Sequence, residues 1–522
     1  MGNQLHSKEF KNNFVNIFNG IDKVSRDPKQ TPGVLYTRAM PSPVSAPKLV
    51  SYSVELGEIL GLDSRLDSKS VEILSGNRVV NSMIPYAACY GGYQFGHWAN
   101  QLGDGRAITL GEIEKDNHIF EVQLKGSGRT AYSRRGDGRA VLRSSVREYL
   151  MSEAMYYLGV PTTRALSLVD TGDKVLRDMF YDGNADYENG AIVARVAPSF
   201  LRFGNFQILF ARGEEDNLRK LLDWTVEKFY PDITSSGDNR VVDFFRNVSK
   251  RTSGMIAEWM RVGFVHGVMN TDNMSALGLT IDYGPFSFLD NFDPTFTPNT
   301  TDLPGRRYAF ASQPSIAFWN LQRFSESLMP LMNDQKLLED EVENFKSYYQ
   351  HDYFKMMSSK FGLSHLDTED RREFLIAVEN CLYELEVDMT LFYQFLIDID
   401  RSGESKDSTI KHFKDCFYID LTESQERQFY NMIKVYKELL SSDSLSDDES
   451  IELMRKANPR FILRNYLLHE ASEKLEKGDS SLFDELFLAL KDPYSKIGDK
   501  FFVKRPKWAA QKAGCSMLSC SS

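Results

Sequence analysis

Phe120, Val122 and Leu124 alternate with Glu121, Gln123 and Lys125, a period of two that predicts a strand with one apolar face. Lys125 leaves this strand on its polar face, and Gly126-Ser-Gly128 ends it. Over 139–158 the period changes, with Leu142, Val146, Leu150 and Leu158 at helical spacing and Gly159 as a stop. Glu148 lies in mid-helix, off the apolar stripe. Gly190-Ala-Ile-Val-Ala-Arg-Val-Ala197 predicts a second strand in which Arg195 sits among small apolar neighbours, where a charge needs a partner.

On a larger scale, 87–197 is rich in Gly and Arg with short alternating segments, whereas 314–509 is dominated by long helical periodicities with sparse Gly. This contrast predicts an α+β chain of two lobes. The expected division is an N-terminal extension over 1–60, an N-lobe with a Gly/Arg-rich cradle over 61–198, a mainly helical C-lobe over 199–508 and a flexible, Cys-containing tail over 509–522. A helix over 248–262 leads into a loop-strand-loop region, and helices over 371–383 and 425–440 read as structural. The Ser/Asp-rich run 441–450 predicts an acidic loop or a short disordered insert, and 504–522, basic and then rich in small residues, a flexible tail.

Composition narrows the classes of function. A chain of 522 residues with 42% hydrophobic and 26% charged residues can bury a large core. The net charge of -11 argues against a general nucleic-acid binder, because no domain-wide basic field exists to displace counterions from phosphates. Five scattered cysteines make neither a disulfide scaffold nor a zinc motif. No apolar run approaches the roughly eighteen residues of a membrane span, the start lacks a signal core, and His6 stands where myristoylation expects Ser or Thr. Glu9, Asp22 and Asp27 do not suit a mitochondrial leader, so a cytoplasmic protein is expected.

The candidate chemistry centres on His266-Gly-Val-Met-Asn-Thr-Asp-Asn-Met274 and Asp282-Tyr-Gly284. Asp272, Asn273 and Asp282 offer hard oxygen donors for a divalent ion and leave a carboxylate to take a proton. Gly-Asp-Gly-Arg occurs at 103–106 and 136–139, with Gly-Ser-Gly-Arg129 between, fitting either tight turns or a phosphate cradle. Lys125 and Glu148 follow the order of the strand lysine and helix glutamate of protein kinases, although a surface Lys and a solvated Glu fit the pattern too. Unlike a kinase loop, Asp272 and Asn273 are adjacent and no His-Arg-Asp precedes them; His266 reads either as the loop histidine or as a packed residue.

These stretches together resemble the selenoprotein O family of kinase-like protein AMPylators. The resemblance is carried by Gly91-Gly-Tyr-Gln-Phe-Gly-His-Trp-Ala-Asn-Gln-Leu-Gly-Asp-Gly-Arg106, Gln123-Leu-Lys-Gly-Ser-Gly-Arg129, Gly136-Asp-Gly-Arg-Ala-Val-Leu-Arg-Ser-Ser145, Arg195-Val-Ala-Pro-Ser-Phe-Leu-Arg-Phe-Gly-Asn205 and the 265–274 and 282–285 segments, and it is dense over 85–310. It implies a protein-kinase-like two-lobed fold with an extended helical C-terminal lobe, in which ATP lies reversed so that its α-phosphate faces the acceptor. It further implies that Lys125, held by Glu148, contacts the nucleotide together with Gly103, Gly105, Arg106, Asp137, Gly138, Arg195, Arg202 and Asp282. Asp272 is then the base, and Asn273 and Asp282 hold Mg2+ or Mn2+.

One feature of the residues agrees independently: Arg195 emerges from an apolar strand and Arg202 follows seven residues on, which suits anions better than a purine ring. The implied function is transfer of AMP from ATP, or UMP from UTP, to Ser, Thr or Tyr hydroxyls of proteins. An ordinary phosphotransferase and a nucleotide-binding scaffold without chemistry are the rivals. Expected partners are proteins and ATP, with no nucleic acid and no membrane. The family resemblance also places a redox cysteine at Cys520-Ser-Ser522; with no cysteine between Cys89 and Cys381, Cys515 is its nearest candidate partner.

Overall fold

The alternation over 118–125 becomes an inner strand of a nine-stranded sheet in the computed structural model, which describes residues 3–178, 183–402, 405–510, 512, 514–515 and 518–519. In chain order the strands are β1 (Gly20–Ile21), β2 (Tyr36–Arg38), β3 (Lys48–Tyr52), β4 (Tyr86–Ala88), a separate hairpin of β5 (Tyr93–Gln94) and β6 (His97–Trp98), then β7 (Ala107–Lys115), β8 (His118–Lys125), β9 (Ala140–Val141), β10 (Arg164–Arg177) and β11 (Asp186–Ala197). The sheet runs β1-β2-β4-β7-β8-β11-β10-β3, with β9 pairing β11. The chain before residue 60 thus supplies strands at both edges of this sheet.

Both faces of the sheet are covered, and this changes the meaning of the alternation. Val122 and Leu124, with Ile192, Ala194 and Val196, pack into a core shared with Leu5, Leu56 and Leu60. The opposite face carries Glu121, Gln123 and Lys125, which are buried as well. Register pairs Gln123 with Arg195, so Lys125, Gln123 and Arg195 share that face. Ala191 and Val193 of β11 continue it and pack with Leu142, Val146 and Leu150 of the Leu142–Tyr157 helix. The helix starts after 140–141 because those residues pair with β11 as β9.

The second lobe is helical and brackets the candidate loops. The Gly237–Val262 helix ends at Gly263, whose φ of 75° supplies the left-handed cap. Phe264–Val265 and Ser287–Phe288 then pair as a short antiparallel ribbon, fixing both ends of the segment that holds Asp272, Asn273 and Asp282. The expected structural helices appear as Glu369–Glu384 and Glu423–Ser442, in a separate apolar core. Among the described residues no helix is long and apolar enough to cross a membrane.

One expectation is corrected. The acidic run at 441–450 is mostly helix, because the preceding helix runs to Ser442 and Ser446 and Glu449 form a capping box for Asp447–Ala457. Its acidic residues complement the positive end of that helix instead of marking a loop. The tail is docked where it is described: Leu518 donates its N–H to the Pro298 carbonyl and accepts from Thr300, at 2.9 and 2.8 Å. Cys515 and Leu518 are buried; Cys515 is a free thiol, which burial pushes up to about 11, and Cys520 lies outside the described residues.

Glu121 stands directly opposite Glu112 across β7 and β8. Burial first, and Glu112 second, push its carboxyl up to about 8, although Ser199 and Phe200 donate to it. A carboxyl raised by folding contributes stability that is fully present below its unfolded value and is lost as pH rises through about 8. The urea midpoint should therefore fall between pH 5 and pH 8.5, and Glu121→Gln should reduce that fall by roughly 1–3 kcal/mol. Identical pH slopes for the two proteins would contradict this account.

Candidate active site

A cleft of about 1050 Å³ opens between the sheet and the helical lobe. Gly103, Gly105, Arg106, Lys125, Asp137, Gly138, Arg195, Arg202, Asp272, Asn273 and Asp282 all line it, so the structure brings together residues spread over nearly 180 positions of sequence. Glu148 stands behind Lys125, with its Oε2 2.6 Å from the ammonium. Both are buried, so the reading of a surface Lys and a solvated Glu does not hold.

The cations of the cleft are held by shared carboxylates. Arg195 Nη1 donates to Glu148 Oε1 at 3.0 Å and to Asp282 Oδ1 at 2.6 Å. Its Nη2 donates to Gln123, its neighbour across the sheet. Arg202, the N-cap residue of the Phe203–Ala211 helix, donates to Asp282 Oδ2 and to the Asp272 carbonyl. Lys125 Nζ lies 3.9 Å from Asp282 Oδ1. Burial alone would raise the Asp282 carboxyl, but Arg202, Arg195 and Lys125 together hold it well below the usual carboxylate range. Burial lowers the Lys125 ammonium, with Glu148 opposing. Asp282 has a φ of 58°, a left-handed conformation uncommon for a residue other than Gly.

Asp272 has a different environment. It lies in the short Thr271–Asn273 turn, where Gln94 Nε2 donates to its Oδ2 at 3.1 Å. Its Oδ1 is buried and has no hydrogen-bond partner among the described residues. Burial is the main cause that pushes this carboxyl up to about 6, against the Gln94 hydrogen bond and Arg202. Two carboxylates of one cleft are thus driven apart, one ionised throughout the ordinary pH range and one nearer neutrality. His266 is a packed residue: its ring stacks on Trp259 at 5.4 Å and its Nε2 lies 2.8 Å from the Ile281 carbonyl, beside Asp282.

The donor set suits a hard divalent cation. The Asn273 Nδ2 group donates to the Val268 carbonyl at 2.9 Å, leaving Oδ1 as its acceptor, and Asp282 adds carboxylate oxygen in the same cleft. Asp282 would have to share its oxygens between that cation and the two arginines. At the glycine-rich lip, Gly138 has a φ of 71° and a Cβ there would fall 2.2 Å from the Gly128 carbonyl, so only glycine fits. Asp137 pairs with Arg177 at 2.7 Å and accepts from the Arg139 N–H at 2.9 Å.

Several residues of the cleft escape sequence reasoning. Gln123 was placed on the correct face by the period of two, yet an amide carries no charge pattern to mark it. Gln94 lies within the glycine-rich 91–106 stretch but far in sequence from the loop it touches. Arg134 and Arg135 line the cleft and are exposed; their position between two glycine tetrapeptides is the available signal. Arg177 has none, because its pairing with Asp137 spans forty residues.

A family model described as "Protein adenylyltransferase SelO" matches residues 29–491. A protein from Cytophaga hutchinsonii, named protein nucleotidyltransferase YdiU, is 54% identical over 519 residues, covering 99% of each chain. A protein of the same name from Azoarcus sp. is 47% identical over 519 residues, covering 98% of this chain and 99% of its own. Among solved structures, ROP2 from Toxoplasma gondii, described as a virulence factor with a protein-kinase fold and no enzymatic activity, is similar at 12% identity with a TM-score of 0.22, covering 56% of this chain and 87% of that one, an overlap that carries no argument.

The shared ion pairs make a direct prediction for stability. Arg195→Met removes the cation that Glu148 and Asp282 both use. Chemical denaturation should show a loss of about 3 kcal/mol, because a broken buried pair leaves uncompensated charge. A loss below about 1 kcal/mol would mean that Lys125 and Arg202 suffice to hold the carboxylates.

Proposed function

Because this chain belongs to the protein adenylyltransferase SelO family, we propose that its cleft binds ATP with the α-phosphorus toward Asp272 and transfers AMP to a Ser, Thr or Tyr hydroxyl of a protein, releasing pyrophosphate. The chain is accordingly a protein nucleotidyltransferase. The observation that carries the orientation is the placement of two buried guanidiniums, Arg195 and Arg202, in the cleft with Lys125. Arg195 Nε is a buried donor without an acceptor among the described residues, and phosphate oxygens would satisfy it. The β- and γ-phosphates would meet those charges with charge of the opposite sign, which a neutral adenine ring lacks.

In this reading the acceptor O–H gives its proton to Asp272 as its oxygen bonds to the α-phosphorus. The bond from that phosphorus to the bridging oxygen breaks, and Lys125, Arg195 and Arg202 meet the charge that develops on the pyrophosphate. Glu148 keeps Lys125 in place. Asn273 and Asp282 would hold Mg2+ or Mn2+, which when bound neutralises phosphate charge. Arg106, exposed and with no carboxylate partner among the described residues, together with Gly103, Gly105, Asp137 and Gly138, would line the outer part of the nucleotide site. UTP would present the same triphosphate, giving UMP transfer. A cytoplasmic setting belongs to this reading, supported by the free, buried Cys89, Cys381 and Cys416.

Supplying ATP labelled at either the α- or the γ-phosphate tests the reading. Acceptor protein should take up α-label and no γ-label; γ-label alone would make the enzyme a phosphotransferase. Asp272→Ala should lower transfer by about 10²-fold or more while ATP affinity, measured by calorimetry, stays within a few-fold. Full transfer by Asp272→Ala would remove the base from this account.

A further inference from the structure

Three consecutive residues at the β5–β6 turn bond to three consecutive residues of the loop that carries Asp272. The Tyr93 N–H donates to Thr271 Oγ1 at 2.7 Å, Gln94 Nε2 to Asp272 Oδ2 at 3.1 Å, and the Phe95 N–H to Asn270 Oδ1 at 3.1 Å. Each partner is itself fixed from the helical lobe. Thr271 Oγ1 donates to Gln207 at 2.7 Å, and Asn270 Oδ1 also accepts from the Tyr308 hydroxyl at 2.6 Å. Phe95 adopts a φ of 49°, so the turn holds a non-glycine residue in the left-handed region to make this clasp. The backbone closes in as well: a Cβ at Gly92 would lie 2.7 Å from Asp272 Oδ1 and 2.8 Å from its Cβ.

The two oxygens of Asp272 are consequently unlike. Oδ2 is occupied by the Gln94 amide, whereas Oδ1 is buried and has no hydrogen-bond partner among the described residues, a state that a ligand's donor would relieve. A side-chain amide can direct a carboxylate without placing a second charge beside it. We propose that Gln94 is a positioning residue, which fixes the Asp272 carboxylate so that Oδ1 is the atom that receives the proton of the acceptor hydroxyl. This inference rests on the reading of Asp272 as the base and adds the atom and the residue that orients it. In the step itself, the acceptor O–H bond breaks, its proton passes to Oδ1, the acceptor oxygen bonds to the α-phosphorus and pyrophosphate leaves. Because the hairpin precedes the central strands and the loop belongs to the helical lobe, the base is oriented only while the two are clasped.

Gln94→Met, which keeps length and removes the donor, tests this against a purely structural role. Tyr308→Phe is the control, since it removes two hydrogen bonds of the same clasp, the one its hydroxyl gives to Asn270 and the one it accepts from the Phe95 N–H, without touching Asp272. Steady-state transfer to a fixed protein acceptor should show kcat for Gln94→Met reduced about 10- to 100-fold, the cost of a misaligned catalytic group. KM for ATP should stay within about 3-fold, because nucleotide binding does not use Gln94. Tyr308→Phe should keep kcat within about 3-fold of the native chain even where thermal melting falls as much as in Gln94→Met. The inference is overturned if Gln94→Met keeps native kcat, or if Tyr308→Phe loses as much. Both variants are read on whichever phosphoryl group the native chain transfers, so failure of the nucleotidyl reading and failure of the Gln94 assignment give different results.

Discussion

Burying Lys125, Arg195 and Arg202 beside one another is possible only because Glu148 and Asp282 share them. Isolated charges in such a place would each lose several kcal/mol of hydration, and mutual repulsion would add to that cost. Glu148 reaches both Lys125 and Arg195, and Asp282 reaches both arginines. Much of the surrounding architecture serves this arrangement. The register of β8 with β11 places Gln123 against Arg195, the Leu142–Tyr157 helix delivers Glu148 onto that face, and the ribbon at 264–265 and 287–288 fixes the loop from which Asp282 projects. Lys125, Arg195 and Arg202 are bridged by these two carboxylates, and the Asp104 carboxyl acts on Arg202 as well.

The same cluster explains why Asp272 and Asp282, in one cleft, differ in proton affinity. Asp282 is paired with three cations and stays ionised, a state suited to holding a metal. Asp272 receives one neutral amide and burial, which leaves it nearer the proton affinity a base needs at neutral pH. Their separation in environment, more than the presence of both in one motif, is what assigns the roles proposed for them.

Much of this was legible in the sequence where the signal is local. The strand ending in Lys125, the helix with Glu148 and the strand with Arg195 follow from periods of two and of about 3.6 residues. The need of Arg195 for a partner also followed from its apolar neighbours. That both faces of the sheet are buried was hidden, because a buried polar site gives the same alternation as a solvated face. The strands before residue 60 are two to five residues long and pair with distant segments, so no local period announces them. The run at 441–450 misled because composition suggested a loop, whereas Ser446 and Glu449, three apart, spell a helix start. The hold of Gln94 on Asp272 spans 178 residues and could come only from the fold.

The most direct test of the central claim is a crystal structure with a non-hydrolysable ATP analogue and a divalent cation. The account predicts the α-phosphorus nearest Asp272, with the β- and γ-phosphates against Lys125, Arg195 and Arg202. A γ-phosphorus nearest Asp272, with the base turned toward Arg195, would contradict it.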